Sequence, residues 1–156
     1  EMVSNCKYPP LGHRSVTGTL PQLDFESHSF AVSTPAINAA TLLIVMLETP
    51  LAIANADAIA AVPGIDILLV GCSDLGMEMG LPGQPEHPEM ERALTTVVAA
   101  CNKHGKYAGL GGVYAPALLQ RYVSLGMRFI LSGNDVSLMM AAAKERTQFM
   151  RKLKVD

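Results

Sequence analysis

The chain has 156 residues, of which 49% are hydrophobic and 17% charged, and its formal net charge is −2. This composition is typical of a globular protein and excludes a disordered or fibrous chain. Its cations are not clustered and no apolar run reaches the roughly 18 residues of a membrane-spanning helix, so we expect no binding to nucleic acid and no association with a membrane.

Residues 1–41 are rich in Ser, Thr, Pro and Gly and show little periodicity. We expect a loop-rich lead-in segment there, with one short element at most. The second segment, 42–156, begins with an apolar run at 42–47, which is typical of a parallel strand covered on both faces. Thr49 as the cap and Pro50 at the first helical position then predict one helix over residues 49–62.

The pattern repeats along the rest of the chain. Strands are predicted at 65–71, 107–113 and 128–133, and helices at 87–101, 116–125 and 136–152. Four such units indicate an α/β fold with a parallel sheet. They fit either an open doubly wound sheet or half of an eight-stranded barrel, which typically needs about 250 residues, and composition alone leaves both open.

Two carboxylates follow neighbouring strands of the predicted sheet. Glu48 comes directly after the first strand, and Asp74 comes three residues after the second. Because the carboxyl ends of parallel strands share one edge of a sheet, the two side chains are candidate ligands for a hard divalent cation. The alternative is that each carboxylate only caps the helix that follows it.

Other residues near these strand ends give weaker signals. The turn that starts at Gly71 can offer backbone N–H groups to a carboxylate, although it can equally be a plain turn. His87 and His104 stand at predicted helix ends and are poor candidates for catalysis. Cys72 has no neighbouring base, and the three cysteines have neither disulfide nor zinc spacing, so we expect a reduced, cytoplasmic protein.

Three stretches taken together resemble the HpcH/HpaI aldolase family. They are "YPPLGHRS" at 8–15, "LETPLAIANADAIAAVPGIDILLVGCSDL" at 47–75 and "GMRFILSGNDVSLM" at 126–139. The family comprises metal-dependent class II aldolases of the phosphoenolpyruvate/pyruvate barrel superfamily, and the similarity runs from about residue 8 to residue 150. It implies a (β/α)8 TIM barrel of which this chain covers about the last four βα units.

The resemblance also implies a carbon–carbon lyase that cleaves or forms 4-hydroxy-2-oxo acids through a metal-bound pyruvate enolate. Glu48 and Asp74 match the family residues that hold a divalent cation, Mg²⁺, Mn²⁺ or Co²⁺. Gly71, Cys72, Ser73 and Asp74 match the turn beside the substrate carboxylate. The implied substrates are a pyruvate-like 2-oxo acid and an aldehyde, and a cation on the keto oxygen would stabilise the enolate.

The match covers only the second half of the family barrel. The family arginine and histidine that serve catalysis lie outside this chain, so the catalytic residues stay unassigned. Met46 replaces a common glutamine, and Cys72 and Ser73 replace a common proline and alanine. Family members form homo-oligomers and exchange the C-terminal helix, which implies that residues 135–152 pack on a neighbouring copy. The alternatives are an oxaloacetate decarboxylase or acid lyase of the same superfamily, or a catalytically incomplete fragment that serves only in assembly.

Overall fold

The computed structural model describes residues 1–154 and contains one parallel sheet of four strands. These are β1 (Ile44–Leu47), β2 (Ile67–Gly71), β3 (Tyr107–Gly111) and β4 (Phe129–Ile130). They pair in chain order, each parallel to the next. A doubly wound sheet reverses its strand order at a switch point, whereas a barrel does not. The architecture is therefore that of half a (β/α)8 barrel, and the expected α/β fold is confirmed.

Helices flank and connect the strands. In chain order they are α1 (Met2–Cys6), α2 (Phe30–Ala40), α3 (Pro50–Ala54), α4 (Ala56–Ala60), α5 (Cys72–Glu78), α6 (Pro88–His104), α7 (Pro116–Leu125) and α8 (Asp135–Met150). Right-handed crossovers between sequential parallel strands place the connecting helices on one face of the sheet. Among residues 1–154, no helix combines the length and the apolar character needed to cross a bilayer.

Several helix ends follow local sequence signals. The Thr49 side chain accepts a hydrogen bond from the Ala52 N–H at 3.1 Å, and Pro50 occupies the first position of α3, as predicted. Helix α6 ends at Gly105, whose φ of 64° is a left-handed conformation that glycine adopts without strain. Helix α7 has the predicted bounds and ends at Gly126.

The predicted single helix over 49–62 is wrong. The helix breaks at Asn55 into α3 and α4, where the Asn55 side-chain amide donates back to the Leu51 carbonyl at 2.8 Å. A side chain that hydrogen-bonds the preceding turn competes with the helical backbone pattern. The sequence also gave no indication of α5, which begins at Cys72 immediately after β2.

The lead-in segment contains more regular structure than expected. Besides α1 and a short 3-10 turn, it carries the eleven-residue helix α2. Tertiary contacts hold the end of α2: the Asn38 side chain accepts from the Tyr8 N–H at 2.8 Å and donates to the Tyr8 carbonyl at 3.0 Å. The buried Lys7 ammonium donates to the Asn38 and Thr41 carbonyls at 2.8 and 2.6 Å. The block around Tyr8 is thereby joined to the segment that precedes β1.

We expect Lys7→Met to lower the free energy of unfolding by about 1–2 kcal/mol, because it leaves two carbonyl groups at the end of α2 without their donor. Urea denaturation followed by circular dichroism measures this change. Lys144→Met is the control, since Lys144 is exposed on α8. Equal stabilities of the two variants would contradict the role given to Lys7.

The hydrophobic core lies between one face of the sheet and helices α3 to α7. Alternate strand residues supply its sheet side, with Val45, Leu68 and Ala108 in one row of the register. The opposite face would line the interior of a barrel, and it leaves Met46 51% and Tyr107 61% exposed. Exposed apolar side chains on a sheet face are typical of a surface that another segment covers.

Candidate metal centre

Glu48 and Asp74 lie together at the carboxyl edge of the sheet. Because Leu47 pairs with Val70, Glu48 follows β1 at the level of Gly71, the last residue of β2. Asp74 lies in the first turn of α5, which starts directly after Gly71. The two carboxyl groups are close enough for the negative charge of Asp74 to raise the pKa of the Glu48 carboxyl. Both residues therefore follow their strands at the same edge of the sheet, as the strand-end pattern predicts.

Two carboxylates in contact repel each other unless a proton or a cation lies between them. Burial, the negative charge of Asp74 and the hydrogen bond with Asp74 together raise the pKa of the Glu48 carboxyl. A divalent cation would offset this repulsion and would find the oxygen donors that Mg²⁺ and Mn²⁺ prefer. The donor set thus fits such an ion, with water or substrate oxygens completing its coordination.

Gly71 leaves the space that the Glu48 side chain occupies. A Cβ atom at residue 71 would lie 2.7 Å from Glu48 Oε1 and 2.9 Å from Glu48 Cγ. Real Cβ atoms are essentially never found so close to another heavy atom. The glycine at the end of β2 is therefore required by the position of the Glu48 carboxylate, which sequence reasoning did not identify.

The alternative that both carboxylates are helix caps receives little support. Thr49, and not Glu48, provides the side-chain cap of α3. Helix α5 has Gly71 at its cap position and no side-chain cap hydrogen bond. Asp74 does lie in the first turn of α5, where a negative charge is favourable, so part of its role is helix stabilisation.

The turn after β2 packs against the end of the next strand. Gly112 has a φ of 83°, and a Cβ at that residue would lie 2.7 Å from Ser73 Oγ and 3.1 Å from Ser73 N. Cys72 is buried and Ser73 is exposed. Gly112 thus allows the end of β3 to approach this turn closely.

The burial of the cysteines predicts how they react with a thiol reagent. Burial raises the pKa of the Cys72 thiol to about 12 and also raises that of Cys101, whereas Cys6 is partly exposed. Because the thiolate is the reactive form, we expect one cysteine, Cys6, to react with Ellman's reagent at pH 8 before unfolding, and all three afterwards. Rapid reaction in a Cys6→Ser variant would contradict the burial of the other two.

The remaining sequence candidates do not join the site. His87 caps α6 by accepting from the Glu89 N–H, and His104 at the other end of that helix contacts Asp57. The Arg14 guanidinium stacks over the Tyr8 ring, 4.8 Å from its centroid. Within residues 1–154, no group of three or more His, Cys, Asp or Glu side chains could hold a metal ion. Glu48 and Asp74 are the two candidate ligands that the strand-end pattern predicts at this edge.

Comparison with known proteins agrees with this architecture. The chain is 40% identical to a 4-hydroxy-4-methyl-2-oxoglutarate aldolase of Hapsidospora irregularis, over 99% of this chain and 58% of that protein. It is 33% identical to a 5-keto-4-deoxy-D-glucarate aldolase of Klebsiella pneumoniae subsp. pneumoniae, over 97% of this chain and 58% of that protein. The chain thus spans somewhat more than half the length of the curated relatives it matches.

Solved structures show the same fold. The crystal structure of an HpcH/HpaI aldolase from Desulfitobacterium hafniense DCB-2 superposes with a TM-score of 0.82 at 28% identity, over 97% of this chain and 58% of that one. The family model described as HpcH/HpaI aldolase/citrate lyase matches residues 1–142. The chain belongs to the HpcH/HpaI aldolase/citrate lyase family.

Proposed function

We propose that the chain is the metal-binding half of an aldolase that cleaves or forms 4-hydroxy-2-oxo acids, releasing or consuming pyruvate. The observation that carries this proposal is the placement of Glu48 and Asp74 at the carboxyl edge of a barrel sheet, with Gly71 leaving space for the Glu48 carboxylate. Active sites of (β/α)8 barrels lie at this edge. The names of the relatives support the reaction class, since both are aldolases of oxo acids.

In this proposal Glu48 and Asp74 hold Mg²⁺, Mn²⁺ or Co²⁺. The chemistry that such a bound cation supplies is stabilisation of the negative charge that develops on an enolate when a carbon–carbon bond breaks. The backbone of Gly71, Cys72, Ser73 and Asp74 orients the substrate carboxylate through its N–H groups. The Cys72 thiol, buried and with its pKa raised to about 12, stays protonated and takes no part as a nucleophile.

Proton transfer needs an acid–base group beside the substrate. Among residues 1–154, no hydrogen bond or ion pair joins a histidine or an arginine to Glu48 or Asp74: His87 and His104 lie at the two ends of α6, and His28 pairs with Glu26. We assign the acid–base work to the other half of the barrel, where the family resemblance places it. That half would also cover the exposed inner face of the sheet around Met46.

We further propose that the active form is a homo-oligomer in which α8 packs on a neighbouring copy. Every residue of α8 is exposed, including the apolar side chains of Val136, Leu138, Met139, Met140, Phe149 and Met150. A helix gains most of its stability in water from packing its apolar side chains. A partner for α8 would supply that packing.

The test is a chimera that joins the N-terminal half-barrel of the Hapsidospora irregularis relative to this chain. Pyruvate release from 4-hydroxy-4-methyl-2-oxoglutarate is measured with lactate dehydrogenase and NADH, with Mg²⁺, Mn²⁺ or Co²⁺ added or with EDTA. We expect metal-dependent release that disappears in the Glu48→Gln chimera. A folded chimera that binds metal but releases no pyruvate would contradict the proposal.

The same assay addresses the alternative chemistry. The matching family model names citrate lyase beside aldolase, so a related acid lyase or an oxaloacetate decarboxylase is the second candidate. Pyruvate formed faster from oxaloacetate than from the hydroxy-oxo acid, above the metal-only rate, would favour decarboxylation. Release from neither substrate would favour a fragment that serves only in assembly.

A further inference from the structure

A small cleft adjoins the turn that follows β2. Its volume is about 200 Å³, and its lining includes Cys72 and Ser73 on one side, Gly112 at the end of β3, and Gly83, Gln84 and Pro85 on the other side. Pockets for drug-sized ligands occupy roughly 300–1,000 Å³. The space therefore suits a fragment of a few heavy atoms, adjoining the residues assigned above to substrate binding.

The far wall of this cleft is the connection between α5 and α6, residues 79–87, and it is held in place by hydrogen bonds. The Leu81 N–H donates to the Gly76 carbonyl at 2.7 Å, and the His87 N–H donates to the Gln84 carbonyl at 3.1 Å. Between these two turns, Gly83 adopts a φ of 69°. The connection is thus a series of defined turns.

Tyr122 of α7 holds the middle of this wall. Its ring is fully buried, and its hydroxyl donates a hydrogen bond to the Pro85 carbonyl, 37 residues away in the chain. Burial raises the pKa of the Tyr122 hydroxyl to about 12, so the group remains a proton donor across the ordinary pH range. Pro85 and its neighbour Gln84 are thereby tied to the helix layer of the barrel.

The polar side chains of the cleft are Ser73 and Gln84, and both are exposed. The other lining residues are glycines, Pro85, Met77 and the buried Cys72, and no Lys or Arg lies among them. Hydroxyl and amide groups donate hydrogen bonds but carry no net charge, so they do not attract anions non-specifically. This chemistry fits a hydroxyl or carboxylate group that arrives as part of a larger substrate.

We propose that this cleft is a subsite for the polar tail of the 2-oxo acid, with Gln84 as the specificity-determining residue and Tyr122 as its positioning residue. The inference rests on the proposed function, because the oxo-acid end of the substrate must bind at the neighbouring Glu48 and Asp74 site. A ligand without a polar tail, such as pyruvate, leaves the cleft empty. A longer dicarboxylic 2-oxo acid fills it.

Calorimetric titration of the chain with pyruvate and with 2-oxoglutarate, both in saturating Mg²⁺, tests the inference. We expect Gln84→Ala to weaken 2-oxoglutarate binding about tenfold and to leave pyruvate binding unchanged, as for the loss of one hydrogen bond to a charged group. Tyr122→Phe keeps the ring and removes the hydroxyl. It should lower the ratio of 2-oxoglutarate affinity to pyruvate affinity about threefold. Gln120→Ala is the matched control, because this glutamine of α7 is exposed and its side-chain amide donates a hydrogen bond to Ser124, outside the cleft.

Each other outcome overturns the inference in a recognisable way. Unchanged selectivity in Gln84→Ala would show that the tail does not lie in this cleft. Equal weakening of both ligands in Tyr122→Phe would show a merely structural role for the hydroxyl. Absence of pyruvate binding to the unmodified chain would contradict the proposed site itself, and the subsite with it.

Discussion

Replacing Glu48 with Gln, or Asp74 with Asn, is expected to lower the affinity of the chain for Mn²⁺ at least about 100-fold. Loss of a side chain that only orients a metal ligand already lowers metal affinity roughly 10- to 100-fold. Each of these variants goes further, because it removes the charge of one of the two ligands. Isothermal titration measures the affinity at pH 8, because the pKa of the Glu48 carboxyl is raised and a lower pH would favour its protonated form.

The same variants should not destabilise the metal-free protein. Each one removes the repulsion between the Glu48 and Asp74 carboxylates, so the free energy of unfolding without metal should stay equal or rise. Glu78→Gln provides the control, because it removes one exposed carboxylate from the last turn of α5. A metal affinity that is unchanged in Glu48→Gln, or equally reduced in Glu78→Gln, would exclude the assigned pair.

The second large effect is expected from Gly71→Ala, a change that adds one methyl group and no charge. Gly71 has a φ of −85°, which alanine can adopt, so the substitution does not strain the backbone. The methyl group would lie 2.7 Å from Glu48 Oε1, so the carboxylate must leave its observed position. We expect Mn²⁺ affinity to fall about 10- to 100-fold, as it does when a metal ligand loses the group that orients it.

Gly18→Ala is the matched control for that variant, since a Cβ atom at residue 18 meets nothing within 4 Å. It should bind Mn²⁺ like the unmodified chain. The unfolding free energy of Gly71→Ala should change by less than about 1 kcal/mol, because the Glu48 side chain is only partly buried and can move. Undiminished metal affinity in Gly71→Ala would mean that the observed position of Glu48 is not the one that binds.

Local signals in the sequence were sufficient for the βα order and for the placement of Glu48 and Asp74 at one edge of the sheet. Pro50, Pro88 and Pro116 occupy the first helical positions, and glycines end α6 and α7, because these residues act within one turn of the chain. Strand order then brings Glu48 and Asp74 to one edge. This deduction needs only the rule that parallel strands share their carboxyl ends.

The features that were missed depend on contacts between distant residues or on side-chain competition. Helix α2 contains Pro35 and weak helix formers, and its end is held by Lys7 and Tyr8 more than 25 residues earlier in the chain. The hydrogen bond from the Tyr122 hydroxyl to the Pro85 carbonyl is likewise not reflected in the hydrophobic periodicity of the sequence. At the break between α3 and α4, the Leu51 carbonyl accepts from both the backbone N–H and the side-chain amide of Asn55, and the alanine-rich pattern around it otherwise favours a helix.

The role of Gly71 illustrates the same limit. Sequence reasoning identified a glycine that lets the chain turn after β2, whereas the structure shows a glycine that leaves space for a carboxylate on the neighbouring strand. That requirement follows from the register, in which Leu47 pairs with Val70. Register is set by the packing of the whole sheet and cannot be read from residues 65–76 alone.

The most direct test of the metal centre is a crystal of this chain grown with Mn²⁺ and measured for anomalous scattering. The account predicts one strong anomalous peak between the Glu48 and Asp74 carboxylates, about 2.0–2.3 Å from an oxygen of each, as hard divalent cations require. A peak elsewhere, for example at Asp57 and His104, with none between Glu48 and Asp74 would contradict it.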